Sequence, residues 1–228
     1  KACKVTCDDP IDAWQQHRYS FEKRVNYLND LNLKTLTYTN SLGTNLTVTL
    51  NDDYLFAGGG SYNNDGVYYF ANIPTEEIFT SPYRNGTNGV VYSSMPLNYN
   101  GNLIDKFKIE FKDGKIVDFD CEVGKDVLNE VINIDEGSHY LGEIALVPYD
   151  SAISNMKTLF YNTLYDENAA CHLAIGKGFG ECIKDGLKLS KEQLLEKGIN
   201  DSLTHVDFMI GTSDLNITGT TKDGKEVL

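Results

Sequence analysis

Between Pro10 and Leu31 the apolar residues Ile11, Trp14, Tyr19, Val25, Leu28 and Leu31 recur at steps that suit a helix, behind a proline well placed for its first turn. From Leu33 the period shortens to two. Leu36 and Tyr38, then Leu46, Val48 and Leu50, alternate with Thr and Asn and predict half-buried strands around a turn at Gly43. Gly58-Gly59-Gly60 and the Asn/Asp/Gly run to Gly66 read as a loop, and with no Lys after the glycines they are not a phosphate cradle. The clearest hairpin is Asp105–Phe119, where Phe107, Ile109 and Phe111 alternate with polar residues before the Asp113-Gly114 turn. Val127, Leu128 and Val131 predict a helix over 125–132. Ile144-Ala145-Leu146-Val147 is a short apolar run ended by Pro148. Ser190, with Gln193 three positions on, caps a short helix over 190–197. Phe208-Met209-Ile210 and Asn216-Ile217-Thr218 read as late strands, closed by the Asp223-Gly224 turn.

Strands and helices alternate without a βαβ rhythm or a repeat. That pattern predicts an α+β fold, a mainly antiparallel sheet with flanking helices. No Pro/Gly/Ser-rich linker divides the 228 residues, so one domain is expected.

Composition narrows the partners. With 33 acidic against 20 basic residues the net charge is -13, which argues against nucleic acid and anionic membranes. No stretch approaches the roughly 20 apolar residues of a membrane span. Five cysteines at irregular spacing are not a disulfide framework and point to reduced thiols in a reducing compartment. The opening Lys1–Pro10 lacks a hydrophobic signal core and reads like the interior of a longer protein.

The chemistry concentrates late in the chain. Two of the four histidines, His172 and His205, have carboxylates nearby, and imidazole with carboxylate is the ligand set that borderline divalent metals take. Glu167 and His172 are five apart, one step off a shared helical face; the alternative is a capping Glu and a core histidine. In His205-Val206-Asp207 a strand would put imidazole and carboxylate side by side, as a metal site or as a hydrogen-bonded structural pair. Glu143 opens the apolar run 144–147, where a carboxylate is costly unless a cation or donors satisfy it. Glu76-Glu77 could be a solvated turn. The chain has no Gly-x-Ser-x-Gly elbow and no His-Glu-x-x-His, and Cys171 beside His172 in sequence makes a poor dyad.

Four segments go beyond general metal chemistry. They are Asn72-Ile73-Pro74-Thr75-Glu76-Glu77-Ile78-Phe79-Thr80, Tyr140-Leu141-Gly142-Glu143-Ile144-Ala145-Leu146-Val147-Pro148, Asp166-Glu167-Asn168-Ala169-Ala170-Cys171-His172 and His205-Val206-Asp207-Phe208-Met209-Ile210-Gly211. In these motifs and their order, from about Asp9 to the C-terminus, the chain resembles the thermophilic-type metalloaminopeptidases, the aminopeptidase T and aminopeptidase S group. The resemblance implies a cytoplasmic, homodimeric exopeptidase that takes peptides with a free N-terminus and uses two divalent ions, zinc, cobalt or manganese. It places the ligands on Glu77, Glu143, Glu167, His172, His205 and Asp207, and makes Glu76 a candidate general base with a solvated turn residue as the alternative. It also implies that residues 1–228 are the C-terminal metal-binding catalytic domain, without the family's N-terminal α/β domain. The family's tyrosine seven residues after the ligating histidine is Phe179 here, which cannot donate a hydrogen bond to an oxyanion. A metal-binding or dimerisation domain without peptidase activity is therefore the rival expectation.

Overall fold

The structure is a computed structural model that describes residues 2–227. Helix α1 (Pro10–Asp30) begins where an Asp9 carboxylate oxygen accepts the N–H groups of Ile11 and Asp12, both at 3.0 Å, and it buries Phe21 and Leu28. Strands β1 (Leu33–Thr39) and β2 (Asn45–Leu50) follow as the alternation predicts. Then come β3 (Ala57–Gly58), β4 (Ser61–Tyr62) and β5 (Tyr68–Tyr69), so the glycine-rich segment read as a loop carries a small hairpin. Next are β6 (Ile78–Thr80), β7 (Pro82–Tyr92) and β8 (Leu97–Tyr99). The expected hairpin is β9 (Asn102–Lys112) and β10 (Lys115–Val123), and it leads into α2 (Lys125–Ile132). β11 (Leu141–Leu146), α3 (Thr163–Glu167), β12 (His172–Gly176) and α4 (Lys191–Glu196) carry the chain on. It closes with β13 (His205–Met209), β14 (Asn216–Thr221) and β15 (Glu226–Val227). The box at α4 is as read: Ser190 and Gln193 satisfy each other's backbone N–H groups.

The long strands form one sheet in the order β10-β9-β7-β2-β1-β14-β15, with β8 on β9, and a second five-stranded sheet runs β13-β12-β11-β6-β3. Every strand pairing among the described residues is antiparallel. The fold is therefore α+β and mainly antiparallel, in two main sheets rather than one, with the β4-β5 hairpin apart from both. The two sheets share a core: Leu36, Val48 and Ile109 of the first are buried with Ile144, Leu173 and Val206 of the second, and the Phe107 and Phe208 rings meet at 5.5 Å. α1 and α2 cover this core with Phe21, Leu28, Leu128 and Ile132.

β7 is the longest element that the hydrophobic pattern does not reveal. Gly86 and Gly89 interrupt it as turns would, yet both serve close strand contact. A Cβ on Gly86 would lie 2.5 Å from Thr49 Cβ; on Gly89, at φ +114°, it would lie 2.1 Å from the Asn45 carbonyl oxygen.

Candidate metal centre

Strand register gathers the site. In the five-stranded sheet Glu143 pairs with Ala174, and Ala174 with Asp207, so these three share one face. His172 and His205 lie two residues before Ala174 and Asp207 and join the same face by the period of two. Ala145 pairs with both His172 and Phe79, so Phe79 belongs there too, and Glu77 lies two residues before it. Between Glu143 and Asp207 the ladder carries only the methyl group of Ala174, which leaves room for the charged side chains to converge. Ile144, Leu173, Val206 and Phe208 alternate onto the other face and into the core. A one-residue slip of β12 or β13 would bury the acids in that core and expose the aliphatics, so the hydrophobic pattern itself enforces the register.

The geometry is that of two overlapping three-residue groups. Ligand atoms of Glu77, Glu143 and His172 lie within 4.8 Å of one another, and so do those of Glu143, His205 and Asp207. Glu143, 5% exposed, is common to both. His172 Nε2 lies 3.2 Å from Glu77 and 3.9 Å from Glu143; His205 Nε2 lies 3.1 Å from Glu143 and 3.2 Å from Asp207.

Each imidazole is oriented from behind. His172 Nδ1 is 3.0 Å from the Ala170 carbonyl oxygen, and His205 Nδ1 is 2.7 Å from that of Lys177. A carbonyl can only accept, so Nδ1 carries the hydrogen in both rings. In the neutral tautomer Nε2 then presents its lone pair to the carboxylates, the arrangement that metal-ligating histidines adopt.

Charge supports the same reading. Glu77, Glu143, Glu167 and Asp207 line one cavity of about 700 Å³ that has no Lys or Arg in its wall. Even with both imidazoles protonated, the ionised carboxylates of this wall would outnumber their cationic partners, a deficit that divalent ions would make up. In the metal-free protein the cluster holds protons instead. Burial opposes a charge on His172, but the Glu77 hydrogen bond and the charges of Glu77, Glu143 and Asp207 outweigh it and lift the ring to about 10. His205 is lifted to about 11 against the same opposition, by Asp207 and Glu143. Burial and the charges of Asp207 and Glu77 push Glu167 to about 8. Burial raises Glu143 above the ordinary carboxylate range, while for Asp207 it is outweighed by the hydrogen bond and charge of His205, and Asp207 is held low.

The remaining candidates separate. Glu167 ends α3 and lines the cavity but belongs to neither three-residue group. The five-residue spacing to His172 is spanned by a helix end and a strand start, not by one helical face. Its neighbour Asp166, not Glu167, holds the chain that enters α3, accepting the N–H groups of Phe160 and Asn162. Glu76 belongs to neither three-residue group and does not line the cavity; its charge acts on His17 and Arg24 of α1. Phe179 lines the cavity with its ring 5.0 Å from that of His205 and 5.8 Å from that of Phe79.

Sequence reasoning passed over Asn168. It is fully buried; its Oδ1 accepts the N–H of Glu76 at 2.7 Å and its Nδ2 donates to the Leu164 carbonyl at 2.9 Å. It thus ties the segment bearing Glu77 to the helix end bearing Glu167. A buried asparagine between two candidate ligands was the available signal.

Residues 1–228 match the family described as Thermophilic metalloprotease (M29). The chain is 50% identical over 225 residues to aminopeptidase AmpS of Bacillus subtilis (strain 168), an alignment covering 99% of this chain and 55% of that protein. It superposes on wild-type AmpT from Thermus thermophilus with a TM-score of 0.90 at 38% identity, over 96% of this chain and 53% of that one. The 2,5-dihydroxypyridine dioxygenase of Pseudomonas putida KT2440 aligns at a TM-score of 0.58 and 15% identity, a likeness of fold alone. The chain spans about half the length of the curated relatives it matches. The resemblance carried by the four sequence motifs is thus confirmed along the whole chain, which belongs to the M29 family of thermophilic metalloproteases.

Proposed function

We propose that this chain is the metal-binding catalytic domain of an aminopeptidase that releases N-terminal residues from peptides. The observation that carries the reading is the pair of three-residue groups joined at Glu143. Glu77, Glu143 and His172 would hold one divalent ion, and Glu143, His205 and Asp207 a second, with zinc, cobalt or manganese as the candidates. Bound there, such ions lower the pKa of a water to near neutrality and polarise a scissile carbonyl. The resemblance to the family extends the proposal to a homodimer acting in the cytoplasm.

Glu167 takes a role of its own in this reading. It faces the cavity outside both groups, so we assign it the proton of the attacking water rather than a place among the ligands. Glu167→Gln is then expected to keep two ions per chain, by elemental analysis, while kcat falls by about 10²–10⁴-fold, the usual contribution of general acid–base catalysis. A parallel loss of metal would return Glu167 to the ligand set.

One observation favours a second reading. Phe179 brings no donor into the cavity beside His205, which suits a metal-binding or dimerisation domain without peptidase activity. Hydrolysis of leucine p-nitroanilide with added zinc, cobalt or manganese separates the two. The aminopeptidase reading expects metal-stimulated release from the free substrate and none from its N-acetylated form. Equal inertness of both substrates supports the second reading.

A further inference from the structure

Behind the cluster, one buried side chain decides how His205 is held. β12 ends at Gly176, and Lys177 stands between Gly176 and Gly178, whose backbones turn freely. The Lys177 carbonyl, 2.7 Å from His205 Nδ1, is therefore placed by what the neighbouring peptide planes bond to. These peptides are trans, so each points its carbonyl and its N–H in opposite directions. In the Lys177–Gly178 plane the carbonyl meets His205, while the Gly178 N–H donates to the Asn200 carbonyl at 2.8 Å. In the plane before it, the Gly176 carbonyl accepts from Asn200 Nδ2 at 2.6 Å, and the Lys177 N–H donates to the Thr204 carbonyl at 2.8 Å. Both planes are pinned at both ends, and Asn200 supplies one end of each.

Asn200 is itself fixed. It is 2% exposed, and its second amide hydrogen goes to the Gly137 carbonyl at 2.8 Å. Its Oδ1 accepts from Arg84 Nε at 2.9 Å, and the Arg84 guanidinium lies 3.9 Å over the Tyr140 ring. Arginine only donates and carbonyls only accept, so the amide has a single orientation. With both amide hydrogens and its oxygen engaged out of water, this side chain resists any movement of the groups it bonds. His172 is held by other means: its Nδ1 faces the Ala170 carbonyl, to which Asn200 makes no hydrogen bond among the described residues.

We propose that Asn200, backed by Arg84, is a positioning residue for His205: it sets the Lys177–Gly178 peptide, and through it the ring's tautomer and the aim of Nε2. For its consequence the inference rests on the two-ion reading above. Of the two three-residue groups, only that of Glu143, His205 and Asp207 then depends on Asn200. Asn200→Asp keeps the volume and the bond from Arg84, but turns the donor facing the Gly176 and Gly137 carbonyls into an acceptor. Arg84→Met keeps an apolar stem over Tyr140 and removes the donor to Oδ1, a milder change for use where Asn200→Asp does not fold. Ser138→Ala is the comparison. Its fully buried hydroxyl bonds the Ile132 and Asp135 carbonyls and does not hold the segment 176–178.

The first readout needs no metal. Proton–nitrogen NMR of the metal-free protein follows the exchange of each imidazole N–H with solvent. In Asn200→Asp and Arg84→Met the His205 Nδ1–H is expected to exchange about tenfold faster or more, the scale of one lost charged hydrogen bond, with His172 unchanged. The second readout is zinc competition against a chelator. One of the two dissociation constants should rise about 10–100-fold in Asn200→Asp, the usual effect of a group that orients a metal ligand, while the other stays at its parent value. Unchanged exchange at His205, equal weakening of both ions, or the same pattern in Ser138→Ala overturns the proposal. Faster exchange at His205 in a protein that binds fewer than two ions would leave the positioning role standing and refute the two-ion reading alone.

Discussion

Glu143→Gln is expected to empty both halves of the metal centre at once. Glu143 is the one residue common to the two three-residue groups, buried in β11 with His205 3.1 Å away on one side and His172 3.9 Å away on the other. Glutamine keeps the volume and removes the charge, so the strand register and the core behind it are preserved. Even groups that only orient a metal ligand are worth about 10–100-fold in affinity or activity, so a ligand shared by both ions is expected to cost more than about 100-fold in each. Elemental analysis of dialysed protein should find less than one ion per chain in the variant against two in the parent. His172→Gln should behave differently, because the group of Glu143, His205 and Asp207 is left whole. One ion is then expected to remain. Two ions retained by Glu143→Gln would mean that Glu143 does not bridge.

The second large effect is on protons. At pH 7 the metal-free cluster holds His172 and His205 charged, with pKa values of about 10 and 11, and Glu167 mostly neutral, with a pKa of about 8. Metal ligation needs neutral imidazoles and favours an ionised neighbouring carboxylate. Loading the site at pH 7 should therefore release at least two protons per chain, one from each imidazole, measured by calorimetry in buffers of different ionisation enthalpy. The same shifts set how stability follows pH. The two histidines lie above their ordinary 6.5, so their stabilisation is fully present below that value and is lost as pH rises through 10 to 11. Glu167 lies above its ordinary 4.5, so it penalises the fold increasingly between that value and about 8. Both effects have one sign: the metal-free protein should lose thermal stability as pH climbs from 6.5 to 9.5. The loaded protein, whose carboxylates face cations, should not, and the gap in Tm should widen with pH. A gap that narrows over this range would contradict the charge assignment.

Much of this centre was readable from the chain because a strand has a period of two. His205-Val206-Asp207 puts its first and third residues on one face, and the apolar Phe208 and Val206 fix the other face to the core. The same parity separates Glu77 from Glu76: counting back two from Phe79 reaches Glu77, while Glu76 turns its charge toward His17 and Arg24. β12 was harder. All five of its residues are buried, so no alternation marks it, and its first residue is a histidine. The Glu167–His172 spacing was opaque for a related reason, since it spans a helix end and a strand start and fits neither period. β7 stayed hidden because Gly86 and Gly89 serve close strand contact while looking like turns. Asn168 lies beyond pattern altogether; it matters through a buried hydrogen bond.

The direct test of the centre is anomalous diffraction from crystals of the zinc-loaded protein, with data collected on both sides of the zinc edge. Two peaks per chain are expected, one between Glu77 and His172 and one between His205 and Asp207, with Glu143 reaching both. A single peak, or zinc bound away from these five residues, would contradict a two-ion centre bridged by Glu143.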